Sequence, residues 1–186
     1  MDICESPIIR YNFSRFTELS RVLARMQPSA RIRRAVPADA ADIATVLRES
    51  FLEFEALYTP KGFAATTPDQ DQVGSRMEEG PAWIALCEDR TAGTASAVPE
   101  GEKGLYVRGV AVVPSMRGRG IAEALMNEVE SFARQNGCAR MFLTTTPFLT
   151  SAIRLYERYG FTRVPNGAAD LFGTPLIKME KNLDRE

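Results

Sequence analysis

At 186 residues the chain has the length of one ordinary domain, large enough to bury a core without staples. Its 23 Lys and Arg against 24 Asp and Glu leave a formal net charge of -1, which excludes a general nucleic-acid binder, whose footprint is a clustered basic excess. Histidine is absent, so Ser-His and Cys-His catalysis and histidine-bearing zinc sites are excluded, no metal is expected, and proton transfer falls to carboxylates, tyrosine or water.

The first 34 residues carry a net charge of +4 and the remainder -5. Phe16, Leu19, Leu23 and Met26 recur at helical spacing, so residues 1–30 read as a basic amphipathic appendage that packs on the domain or binds a partner. The domain proper, 31–186, opens with a strand over 31–35. Pro37 then starts a helix whose buried face is Ile43, Val46 and Leu47 and which reaches about residue 54 or 58. A Thr, Pro and Gly-rich loop over 59–68 leads to a second helix between 68 and 79. Residues 82–87 and 94–98 form hairpin strands around a charged turn at 88–90, and 103–113 is the next strand. Ile121, Leu125, Val129 and Phe132 share one face of the helix that follows, which Gly137 stops. A strand over 141–146, a helix over 150–159 and closing strands over 161–164 and 176–181 complete the chain.

Cys4, Cys87 and Cys138 are odd in number and widely spaced, as expected in a reducing compartment without a disulfide framework. With no apolar run of 18 residues and no signal-like N-terminus, the expectation is a soluble, cytoplasmic protein with no membrane or nucleic-acid partner. A homodimer is expected only from the frequency of two-fold dimers among soluble enzymes.

The most informative segment is 110–122, where a β-branched apolar strand enters a glycine-rich turn that opens an amphipathic helix. Unpaired N–H groups and the macrodipole make such a helix start an anion site, and glycines let a ligand approach the main chain. Arg117 and Arg119 add formal charge there. A nucleoside-triphosphate loop would end in Gly-Lys-Ser/Thr, which is missing, and a dinucleotide fingerprint would place a third glycine where Glu123 stands. From these residues alone, a buried strand and a tight turn would serve as well.

Residues 117–122, Arg-x-x-Gly-x-Ala preceded by Val-Ala-Val-x-Pro, resemble the coenzyme A loop of the GCN5-related N-acetyltransferase (GNAT) superfamily. A second segment, 149–161, resembles that superfamily's later motif through Ala152, Leu155, Tyr156, Tyr159, Gly160 and Phe161. It departs at Leu149, where the family commonly has an asparagine that bonds the cofactor arm. The resemblance covers roughly 31–181 and implies an α/β fold with a central mixed seven-stranded sheet flanked by about four helices. It also implies acetyl-coenzyme A as cosubstrate. The pantetheine arm would lie along Val110, Ala111 and Val112. The pyrophosphate would sit on the N–H groups of Gly118, Arg119, Gly120, Ile121, Ala122 and Glu123, near Arg117. A β-bulge is the usual way to open the gap between strands.

The activity so implied is direct attack of a primary amine, of a small molecule or peptide, on the thioester, with Tyr156 protonating the departing thiolate. Periodicity alone would make Tyr156 a core residue. Many relatives carry a basic glutamate where this chain has Tyr106 and Thr144; Glu53, Glu55 and Asp69 are weaker candidates for that role. Tyr58 and Phe63 are the expected aromatic contacts of the acceptor, with Phe51 and Phe54 in the core. The rival reading is a non-catalytic coenzyme A-binding sensor or interaction module.

Overall fold

The structure is a computed structural model that describes residues 30–165, 167 and 169–183. The appendage expected over 1–30 therefore lies, Ala30 aside, outside the described residues. An eight-stranded sheet runs through the molecule: β1 (Arg31–Arg34), β2 (Ala82–Cys87), β3 (Arg90–Glu100), β4 (Gly104–Val112), β5 (Arg140–Thr145), β6 (Thr162–Arg163), β7 (Ala169–Leu171) and β8 (Thr174–Asn182). Their order is β1-β2-β3-β4-β5-β8-β6, with β7 paired to β8. All neighbours are antiparallel except β4 and β5.

Five α-helices accompany the sheet: α1 (Ala40–Phe51), α2 (Pro60–Thr66), α3 (Gln70–Glu79), α4 (Ile121–Gln135) and α5 (Thr150–Arg158). On one face Ile43, Val46 and Leu47 of α1 and Val73 of α3 cover Ala82, Ile84 and Ala111. On the other, Ile121, Leu125, Met126 and Val129 of α4 and Ile153, Leu155 and Tyr156 of α5 cover Leu105, Val107, Met141, Leu143 and Met179. Leu125, Met126 and Val129 are fully buried, each contributing about 1.5–3 kcal/mol by the usual area scale. Coverage of both faces explains why β2 reads as a continuous apolar run and why Met141, Phe142 and Leu143 of β5 are buried in succession. At the sheet margin Arg33 clamps the Asp39 carboxylate through two 2.8 Å bonds, tying β1 to the turn before α1.

Two departures from the expected elements have local causes. Residues 60–66 are helix rather than loop because the Thr59 hydroxyl accepts from the Gly62 N–H at 3.1 Å and Pro60 pre-sets the first turn. The eighth strand arises because Phe172 and Gly173 both take positive φ, 51° and 86°, and so close a tight hairpin between β7 and β8. The closing strand expected over 161–164 is reduced to the two residues of β6.

The feature that positions the site is a bulge in β4. Thr94 pairs with Ala111 and Ser96 with Arg108, so Gly109 and Val110 together oppose Ala95. The extra residue reverses the alternation of side chains: Leu105 and Val107 face α4 before it, and Val110 and Val112 face the same side after it. Gly109 takes φ +62°, and a Cβ there would meet nothing nearer than 3.6 Å, so the demand is conformational rather than steric. Gly109→Ala is expected to cost about 1–2 kcal/mol for an L residue in the left-handed region, a melting temperature lower by roughly 2–8 °C for a chain of this size. An unchanged melting temperature would mean that the bulge is not held by Gly109.

Candidate active site

The parallel ladder between β4 and β5 starts at Gly104 opposite Arg140 and ends at Val107 opposite Leu143. Beyond that point β4 turns away at the bulge while β5 continues along β8 through Thr144 and Thr145, so the β4 edge over 108–112 borders a gap. The gap opens into a cavity of about 920 Å³, a size typical of small-molecule sites. At one end the cavity meets the start of α4, where Gly118 and Gly120 take φ +74° and +75° and no atom lies within 4 Å of where a Cβ on Gly118 would sit. The first N–H groups of α4 point out of the helix here, with the positive end of its dipole.

Of the residues singled out above, Val110, Ala111, Val112, Arg117, Gly118, Gly120, Ile121, Ala122 and Glu123 line the cavity, as do Tyr156, Tyr58, Tyr106 and Thr144. Arg119 and Phe63 do not. Arg119 is exposed beside the turn. Arg117 is a buttress: its guanidinium donates to the carbonyls of Val112 at 3.2 Å and Ser50 at 2.8 Å and pairs with Glu53, so it fastens the glycine turn to the end of α1. Glu123 faces Arg158 of α5 across the mouth at 3.2 Å.

The aromatic wall differs from the expected one. Phe63 is buried behind Tyr58, ring centroids 6.1 Å apart, whereas Phe54 lines the cavity and stacks at 6.3 Å on Phe148. The reason is helical phase. After Phe51 the chain tightens into a 3-10 turn over Leu52–Leu57, which advances 120° per residue instead of 100° and brings Phe54 round to the cavity. Phe148, whose ring meets Tyr58 edge-on at 4.9 Å, lies in the link between β5 and α5 and carried no periodic signal.

Tyr156 is buried on the cavity wall, its ring 5.9 Å from that of Phe161. Burial raises its pKa well above the ordinary phenol value, and the nearby Tyr106 and Tyr58 hydroxyls push the same way. Tyr58 is likewise raised by burial, with the Thr146 and Thr66 hydroxyls pulling it partly back. Tyr156 therefore holds its proton throughout the neutral range. The Tyr106 and Thr144 hydroxyls bond each other at 2.9 Å across the last paired part of β4 and β5. Glu53, Glu55 and Asp69 do not line the cavity; Glu53 serves Arg117, and Asp69 caps α3 by accepting from the Gln72 N–H at 2.9 Å. Arg76 and Arg108, which the sequence reading did not single out, both line it.

Comparison with known proteins agrees with this geometry. The profile of a family described as "Acetyltransferase (GNAT) family" matches residues 43–161. A protein of Escherichia coli (strain K12) named "Uncharacterized N-acetyltransferase YjgM" is 30% identical over 138 residues, 72% of this chain and 82% of that protein. Acetyltransferase Atu2258 of Agrobacterium fabrum is 38% identical over 99 residues, 53% of this chain and 71% of that one. Among solved structures, the PaiA N-acetyltransferase of Thermoplasma acidophilum in complex with coenzyme A superposes with a TM-score of 0.69 at 18% identity, covering 83% of this chain and 99% of that one.

Proposed function

We propose, on the premise that the chain belongs to the acetyltransferase (GNAT) family, that it binds acetyl-coenzyme A in this cavity and transfers the acetyl group to a primary amine. The observation that carries the reading is the divergence of β4 from β5 directly beside the start of α4. The residues fit the cosubstrate. Val110, Ala111 and Val112 border the gap where the pantetheine arm would lie as an added strand does, Ala111 remaining paired with Thr94 of β3 and the Val112 carbonyl also accepting from Arg117. The turn from Gly118 to Glu123 offers N–H donors and open space to the pyrophosphate, and Arg119 adds charge beside it. Arg117 contributes by holding that turn in place.

The roles then follow from placement. The β4 main chain holds the thioester and polarises its carbonyl, and the cavity brings the amine to it, so much of the acceleration is positional and electrostatic. The amine nitrogen bonds to the acetyl carbon as the carbon–sulfur bond breaks. Tyr156 gives its proton to the leaving sulfur, and the proton lost by the amine returns to Tyr156 through water. Tyr58, Tyr106 and Thr144 border the acceptor. No carboxylate stands in the base positions, so an amine that enters neutral, or hands its proton to ordered water, suits the site.

The test is thiol release from acetyl-coenzyme A across a panel of amines. Amine-dependent release is the expected result. Coenzyme A binding without release for any amine would replace this reading with a non-catalytic sensor of the same fold.

A further inference from the structure

Charge along the cavity is one-sided. Glu123 is its only acidic lining residue among the described residues, and it sits at the glycine turn, already facing Arg158. Instead α3 and the middle of β4 contribute two arginines to the lining, Arg76 and Arg108. Glu79, from the end of α3, ion-pairs Arg108 at 2.7 Å, so a single carboxylate answers two guanidinium groups. Arg76 spends one donor on the Ala65 carbonyl at 2.9 Å and makes no ion pair among the described residues. The Nε of Arg108 is buried without a hydrogen-bond partner. Burial disfavours the charge of Arg76 and the neighbouring Arg108 adds to the penalty, while Glu79 offsets it in part.

Holding α3 against β4 accounts for some of this, since Arg108 donates to the Arg76 carbonyl at 3.1 Å. It does not account for a second cation on the same wall. Unmatched half-buried positive charge is costly, and a planar anion beside the two guanidinium groups would relieve it through charge-assisted bonds. The same cavity is lined by the rings of Phe54, Tyr58 and Phe148, an apolar seat.

We propose that the acceptor is an amine carrying its own carboxylate, an amino acid with an aromatic or branched apolar side chain, with the carboxylate held by Arg76 and Arg108 and the side chain against Phe54, Tyr58 and Phe148. This inference rests on the acyl-transfer reading above and narrows it. Polyamines and lysine-rich peptides are disfavoured, because they would carry extra cations to a wall without acids.

The test is matched-pair calorimetry on the full chain: phenylalanine against phenethylamine, tyrosine against tyramine and leucine against isoamylamine, each with and without coenzyme A. In at least one pair the carboxylate form is expected to bind about tenfold tighter or more, a factor equal to about 1.4 kcal/mol. Arg76→Gln and Arg108→Gln should each cut that ratio about tenfold. Both substitutions are made because Arg108 also packs α3 and its loss alone could unfold the region. No binding of any carboxylate amine, equal or weaker binding in every pair, or full selectivity in folded arginine variants would overturn the proposal. Failure to bind coenzyme A would sink the transfer reading instead, and the coenzyme-free titrations still decide whether the wall takes a carboxylate.

Discussion

Tyr156→Phe is expected to lower kcat by roughly a hundredfold to a thousandfold, within the span of general acid catalysis, while the Kd for acetyl-coenzyme A stays within about threefold because no binding contact has been removed. The split follows from the position of the residue. Tyr156 belongs to the core cluster under α5, and its ring packs on Phe161. Phenylalanine preserves that packing, so the fold should lose no more than about 1 kcal/mol. What disappears is a proton donor that burial keeps loaded across the neutral range. The residual rate comes from holding thioester and amine together. Stopped-flow release of thiol, coenzyme A titration and a melting curve on the same preparation separate the possibilities. Equal losses in kcat, affinity and melting temperature would reduce Tyr156 to a structural residue.

Much of this site was legible because its parts are local. The strand, glycine turn and helix over 110–122 are contiguous, and the helical face of Ile121, Leu125 and Val129 is stated by spacing alone. The bulge was expected only in general terms, and the structure places it at Gly109, a glycine within an apolar strand. The residues that the structure places differently depend on partners far away in sequence, on a local cap or on a change of winding. Arg117 looks like an anion ligand until Glu53 and Ser50, 64 and 67 positions earlier, claim its guanidinium. Asp69 looks like a free acid until α3 uses it as a cap. Phe54 and Phe63 exchange places because a switch from α to 3-10 winding changes helical phase without leaving a mark in composition. Arg76 and Arg108 were invisible for the same kind of reason: a charge on an amphipathic helix or strand reads as solvated until the tertiary wall around it is known.

The glycine turn admits a test that separates shape from charge. Gly120 takes φ +75° at the start of α4, and a Cβ there would meet only Glu123 Oε2, at 3.8 Å. Gly120→Ala and Gly120→Glu therefore share one backbone penalty, about 1–2 kcal/mol, and should melt at similar temperatures. They differ in the carboxylate that the second brings toward the helix start. Like unit charges near 4 Å cost about 1 kcal/mol in water and about 4 kcal/mol at the effective dielectric of a protein surface, and a pyrophosphate carries more than one. Acetyl-coenzyme A is thus expected to bind Gly120→Ala within about tenfold of the parent and Gly120→Glu at least a hundredfold more weakly, where each tenfold is about 1.4 kcal/mol. Raising the salt concentration should narrow the difference, since the turn is open to solvent and exposed charges are screened. If both folded variants bind alike, the phosphates do not lie on this helix start. The cosubstrate would then have to enter the β4–β5 gap from another side, and the assignment of Gly118 to Glu123 would fall with it.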